Sequence, residues 1–393
     1  MMGPLDGLVV IDLTSVVAGP LATQLLAQQG ARVIKVEPKE GDRARMLGAI
    51  VAPGFSSVHV TLNAGKQSVS LDLGKAAGVA ALLRLVERAD ILVHNFRPGV
   101  MERLGLPVET LRSIRPDLII ARITGFGQTG PLSGERAYDP IVQAEAAMTV
   151  RNEAGEPRLA PQYICDKTTG LYAAQAITAA VAAYARTGKA TVVDISMLEA
   201  AVAFGWIDIH SNETFAEAVR PQPDIAAVYR PWPTRDGWVV IVMLSDAEFA
   251  GWAAVVGAGD RLDDPCFKDM TARFLNWDRV RALGEAALSA MSTKEAVQQL
   301  RAAGVPCGIA NTSAMLRDID QLTEDGFLVE ADDDRLGRVT TPLPAARFDG
   351  FRRMAVPASA VGAETRAVLA EHGFDSAEID ALFESRIAHT APE

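Results

Sequence analysis

Residues 7–37, GLVVIDLTSVVAGPLATQLLAQQGARVIKVE, decide the fold. Gly7–Leu13 is a short apolar run carrying Asp12 near its end, the pattern of a buried parallel strand. Pro20 opens a helix that Gly30 closes, and Ala31–Glu37 is a second strand ending in an acid. The turn between them reads SVVAGP, so the glycines of a dinucleotide-binding G-x-G-x-x-G are missing and that ligand class is rejected. What remains is a right-handed crossover in an open α/β sheet, with ligands expected outside the carboxyl ends of the strands.

The alternation continues outward from this unit. Ser68–Leu73 reads as a strand, Lys75–Glu87 as a helix, and Asp90–Val93 as a strand ending at His94-Asn95-Phe96-Arg97. Leu118–Ile123 is a strand that runs into the glycine-rich turn Gly125–Pro131. Ala190–Ile195 is a further strand, followed by a long helix over Ser196–Phe215. Arg220-Pro221-Gln222-Pro223 breaks the pattern and marks a domain boundary. Beyond it come a strand at Gly237–Val242 and helices near Ala247–Val256, Trp277–Met291 and Thr293–Ala303. Thr340–Phe348 is Pro-rich and linker-like. Two short amphipathic helices end the chain, the second with Ser376 as its expected N-cap. These breaks divide the chain into 1–219, 220–339 and 340–393.

Composition narrows the function. With 393 residues, two domains are the prior. A net charge of −11 argues against a nucleic-acid partner, which requires a basic face. Cys165, Cys266 and Cys307 are odd in number and widely spaced, so neither a disulfide framework nor a zinc site is implied, and a reducing cytoplasm is expected. The N-terminus lacks the pattern of a signal peptide, and no apolar run is long enough for a membrane span.

One stretch stands out for chemistry: ICDKTTGLYAAQAITAAVAAY, residues 164–184. Asp166 precedes a run of about five helical turns. It has two readings: a helix N-cap, or a partly shielded carboxylate at the positive end of a helix, able to attack a carbonyl.

Several motifs in one order resemble the family III CoA-transferases, the group of formyl-CoA and carnitine CoA-transferases related to α-methylacyl-CoA racemase. They are PLDGLVVIDLTSVVAGP, VIKVEPKEGDRAR, HNFRPGVMERLG, ITGFGQTGP, YDPIVQAEAAM, ICDKTTGLYAAQAITAA and AETRAVLAEHGFDSAEIDALF, spanning nearly the whole chain. The resemblance implies an α/β fold: a large CoA-binding domain, 1–219 with 340–393, with an open, Rossmann-like, mostly parallel sheet, plus a smaller α+β domain with linkers, 220–339, in an interlocked ring-like homodimer. It implies a CoA-transferase that moves CoA between an acyl-CoA and a free carboxylic acid, with a dicarboxylate such as succinate as one partner by analogy. Asp166 stands at the family's catalytic aspartate, which acts through covalent aspartyl intermediates. Coenzyme A enters as substrate; no tightly bound cofactor and no metal is implied.

The resemblance also assigns the CoA contacts. Val16 and Ala18 match backbone contact positions. Lys39, Lys66, Arg97, Arg103 and Arg136 are candidates for the CoA phosphates, against the commoner fate of a solvated surface cation. Asn95 and Phe96 stand at a strand's end, and Met197 matches a position lining the acyl site. Two features depart from formyl-CoA transferase: Pro38 replaces a basic residue, and residues 223–238, PDIAAVYRPWPTRDGW, lack its tetraglycine loop. Tyr229, Arg230 and Trp232 from that stretch either face the acyl site or form an inter-domain packing cluster. The 2-methylacyl-CoA racemase alternative needs a His–Asp pair where this chain has Tyr138-Asp139, and tyrosine is a poor base near neutrality. Tyr138 and Asp139 are therefore supporting candidates only. A non-catalytic acyl-CoA-binding homologue would be expected to lack Asp166.

Overall fold

The apolar runs of the first two hundred residues lie side by side in one sheet. The computed structural model describes residues 2–151, 154–217, 229–352 and 356–391. Its sheet strands are β1 (Val9–Leu13), β2 (Arg32–Glu37), β3 (Gln67–Leu71), β4 (Ile91–His94), β5 (Ile119–Thr124) and β6 (Val192–Ser196). All six are parallel, in the order 3-2-1-4-5-6. A short β7 (Ala388–His389), unread in the sequence, adds antiparallel to β3 and covers that edge. Among the helices are α1 (Ala18–Gln28), α2 (Ala76–Val86), α3 (Val100–Arg103), α4 (Asp139–Glu145), α5 (Ile164–Thr187) and α6 (Met197–Gly205).

Strand periodicity divides the core in two. Val10, Val33, Ile91, Val93 and Ile119 face one side, against α1 and α5. Their neighbours Ile11, Ile34, Leu92 and Ile120 face the other, against α2 and the C-terminal helices Thr365–Glu371 and Ser376–Glu384. A sheet buried on both faces explains why the strands read as near-continuous apolar runs. α1 and α5 approach closely at Gly170, where a Cβ would stand 2.9 Å from the Ala18 carbonyl oxygen. α5 ends where Gly188 turns left-handed, its N–H on the Tyr184 carbonyl at 2.8 Å.

The chain forms two compact units, Met1–His210 with Glu324–Glu393, and Ser211–Thr323. The break expected at 219/220, in Arg220–Pro223, lies outside the described residues. The one expected at 339/340 falls inside a strand of a hairpin, Leu328–Asp333 paired with Gly337–Pro342, so the linker reading of Thr340–Phe348 is corrected at its start. Ser211–Thr323 holds a three-stranded antiparallel sheet, Trp232–Pro233, Trp238–Ile241 and Cys307–Ile309, around a core of Trp232, Phe249, Trp252 and Phe267.

Other corrections are local. The helix expected over Ser196–Phe215 stops at Gly205, whose carbonyl accepts from His210 N–H at 2.9 Å as the chain folds back. The cap of the last helix is Asp375, in a reciprocal box with Glu378, and Ser376 is the first helical residue. The first helix begins at Ala18, two residues before Pro20.

Candidate active site

The strand order reverses between β1 and β4, and in such sheets the crevice beyond the strand ends at that point is the ligand site. Here it is a cleft of about 440 Å³. Ser15–Ala18 follow β1, Asn95–Arg97 follow β4, Ile123–Gly125 end β5, and Met197 follows β6; Arg43, Arg136–Tyr138 and Asp166 complete the wall. Gly125 allows two walls to meet, since a Cβ there would lie 2.1 Å from the Ala137 methyl.

The loop after β1 is strained and pinned. Val16, β-branched, has φ +72°, a conformation such residues adopt only when their surroundings impose it. Its N–H donates to Asp42 Oδ1 at 2.9 Å, and the same oxygen accepts from Ala44 N–H at 2.9 Å, which ties the turn carrying Arg43 to the loop. The fully buried Lys35 Nζ donates to the Thr14 carbonyl at 2.7 Å and pairs with Asp42 at 2.9 Å. Asn95 holds Ser15 on both backbone groups, accepting from its N–H at 2.9 Å and donating to its carbonyl at 2.8 Å.

Asp166 does not cap its helix. Tyr163 is the N-cap position and offers no side-chain bond; Asp166 lies in the first turn of α5. The cap comes from α4: Asp139 Oδ2 accepts the Asp166 N–H at 2.9 Å. The Asp166 side chain, 9% exposed, reaches the cleft, where the backbone amide of Ala18 at the head of α1 donates toward it. Burial, and then the Asp139 charge, push its carboxyl up to about 7, against the pull of that amide. Burial, with help from Asp139 and Asp166, also pushes the neighbouring Cys165 thiol up to about 12, which keeps it protonated and unreactive near neutrality.

Chain and cleft can be set beside known proteins. The model of CoA-transferase family III matches residues 5–365. The chain belongs to that family. This family III chain is 33% identical over 384 residues to a probable fatty acyl-CoA transferase of Mycobacterium tuberculosis, the match covering 93% of this chain and 97% of the relative. The solved structure of that mycobacterial protein superposes with a TM-score of 0.82 at 32% identity, covering 93% of this chain and 99% of the other. An acetyl-CoA:oxalate CoA-transferase of Acetobacter aceti is 34% identical, with 89% and 90% covered. A succinyl-CoA:glutarate CoA-transferase of Mus musculus is 30% identical, with 94% and 86% covered.

The family III chain gathers some of the residues singled out by sequence and not others. Val16, Ala18, Asn95, Phe96, Arg97, Arg136, Tyr138, Asp166 and Met197 line the cleft together. Lys66 does not: it is 3% exposed, and its Nζ donates to Asp12, Thr23, Asn63 and the Pro20 carbonyl within 3.1 Å. This amine neutralises the buried Asp12 and is not available to a phosphate. Lys39 is exposed beside Glu40, and Arg103 is exposed at the end of α3; neither lines the cleft. Asp139 lies behind Asp166, 2% exposed. Trp232 is 1% exposed within the core of its own unit, under the Arg281 guanidinium at 4.2 Å, so Trp232 packs inside that unit; Tyr229 and Arg230 are exposed. Sequence reasoning passed over Ser15, Arg43 and Ala137. The strand-end rule would have found Ser15, and the quoted EGDRAR motif contains Arg43. Among the described residues no group of three or more His, Cys, Asp and Glu is placed to hold a metal, and no helix is long and apolar enough to cross a membrane.

Proposed function

We propose that this CoA-transferase works through covalent intermediates on Asp166. The observation that carries the reading is a nearly buried carboxylate, with its carboxyl pushed up to about 7, in the cleft at the sheet's switch point. Its oxygen attacks the thioester carbonyl of the donor, the C–S bond breaks, and a mixed anhydride and CoA thiolate result. The thiolate attacks the aspartyl carbonyl, releases the donor acid and leaves an aspartyl-CoA thioester. The acceptor carboxylate attacks that thioester in turn and expels the thiolate, which takes the acceptor acyl group and frees Asp166. A carboxylate with a raised pKa is the more basic nucleophile, and pre-positioning supplies much of the rest.

Arg43, Arg97 and Arg136 give the cleft three cations for the CoA phosphates or a substrate carboxylate. A dicarboxylate acceptor is part of the proposal, supported by relatives named for oxalate and for succinate with glutarate. A homodimer in the cytoplasm completes it.

Hydroxylamine added to enzyme and succinyl-CoA should convert Asp166 alone into a hydroxamate, located by peptide mass, and Asp166→Ala should lose CoA exchange. Near-normal turnover in a folded Asp166→Ala protein would sink the covalent route.

A further inference from the structure

The group that fixes Asp166 is itself an acid. Asp139 Oδ2 accepts the Asp166 N–H, and its Oδ1 accepts from Gln143 Nε2, so both partners are neutral amides. Gln143, 1% exposed, is tied to the approach to α5: its Oε1 accepts Ala160 N–H at 2.9 Å and its Nε2 donates to the Gln162 carbonyl at 3.1 Å. α4, the loop before α5 and the first turn of α5 are thus locked together. Locking alone does not call for a charge, since Asn or Ser accepts from a helix N–H as well as Asp does. A carboxylate at this depth, hydrogen-bonded only to amides, costs more to bury than either.

We propose that Asp139 is a positioning residue of the transfer reaction, holding the Asp166 carboxylate toward the cleft and opposing its free, charged form through the carboxylate placed behind it. This rests on Asp166 being the nucleophile. When the Asp166 oxygen bonds to the thioester carbon, its charge passes to the thioester oxygen and, on C–S cleavage, to the CoA sulfur. In the mixed anhydride and in the later aspartyl thioester the Asp166 carboxyl is covalently derivatised and uncharged, so repulsion present in the free enzyme is relieved in both covalent states. The groups around Asp166 are Asp139 from α4, the Ala18 amide from α1, Cys165 on its own helix, and Tyr138, Arg43, Arg97 and Arg136 in the cleft. Of these, Asp139 and burial raise its proton affinity.

Asp139→Asn is close to isosteric and keeps an acceptor for the Asp166 N–H. Exchange between succinyl-CoA and a labelled free acid should show plateau kcat lowered about tenfold, with the KM for succinyl-CoA changed less than about threefold. The acid limb of the kcat profile should move to lower pH by at least about half a unit. A purely structural cap would leave that limb in place. An unmoved limb overturns the proposal whatever the kcat, and so does wild-type kcat. Should Asp139→Asn not fold, Asp139→Glu retains the charge but displaces it by a methylene; it should lose at least about tenfold in kcat with the limb unmoved, and wild-type kcat there overturns the proposal equally. Hydroxylamine labelling of the wild type separates the two readings. Absence of label at Asp166 overturns both; label at Asp166 with an indifferent Asp139→Asn overturns only this one.

Discussion

Asp166 is a liability to the fold for the same reason that it suits the chemistry. An acid whose folded pKa is raised holds its proton more tightly when folded. Below the ordinary value of 3.8 both states are protonated and nothing is lost; between 3.8 and about 7 the unfolded chain ionises first and stability falls. Above about 7 the penalty is complete, at most about 4 kcal/mol for a shift of this size. Asp166→Asn should therefore raise Tm at pH 8 by several degrees and leave it nearly unchanged at pH 4, while abolishing exchange. Scanning calorimetry at the two pH values checks this; an equal shift at both, or a lower Tm at pH 8, contradicts it. The position of Asp166 was legible in its apolar-periodic surroundings, but not its environment. Its cap comes from Asp139, 27 positions earlier, and Lys66 turns inward to Asp12, 54 positions away. Local sequence shows an acid before a helix and a lysine without its partners; the groups that decide their roles are tertiary.

Elements were easier to read than their order. Six strands announced themselves because both sheet faces are buried, which makes each an apolar run, whereas the hairpin of Leu328–Asp333 and Gly337–Pro342 did not. Exposed Glu330, Asp332 and Arg338 interrupt its apolar pattern, although Val339 packs against Phe55, Val60 and Leu336. The helix after β6 is shorter than its pattern predicts, because Trp206, Ile207 and Ile209 continue the apolar run past Gly205, where the chain turns. Gly170 carries a consequence for geometry that its sequence context did not reveal. It lies one turn after Asp166, where α5 meets α1, and the atom facing a new Cβ is the Ala18 backbone oxygen, which cannot swing aside. Gly170→Ala should push α5 away from α1, against its gain in helix propensity. The expected result is a loss of about 1–3 kcal/mol in denaturant unfolding. Because Ala18 also donates toward Asp166, kcat should fall by about tenfold or more. A variant as stable and active as the parent would show that the helices adjust freely.

At the scale of the whole molecule the pattern of elements did not show that the chain's end returns to the first sheet; only the family likeness implied it, and the closing helices do pack under the sheet that the first strands build. The proposed homodimer has a physical argument beside the family likeness. α5 and α6 pack on each other, yet α5 leaves Leu171 57% exposed, and α6 with the turn after it leaves Trp206 at 44% and Ile207 at 85%. Large apolar side chains concentrated on two neighbouring helices are the mark of a surface that another chain covers. If that cover is a second copy, sedimentation at nanomolar concentration should give a species of twice 41.8 kDa. The unfolding midpoint should also rise with protein concentration, because unfolding and dissociation are then one transition. Ile207→Glu would place a charge in the covered surface and should lower that midpoint by more than an exposed substitution does, typically within about 0.5 kcal/mol. A folded, active monomer of the parent chain at nanomolar concentration, or an Ile207→Glu variant with the parent's midpoint, would mean that these helices face solvent in the working enzyme.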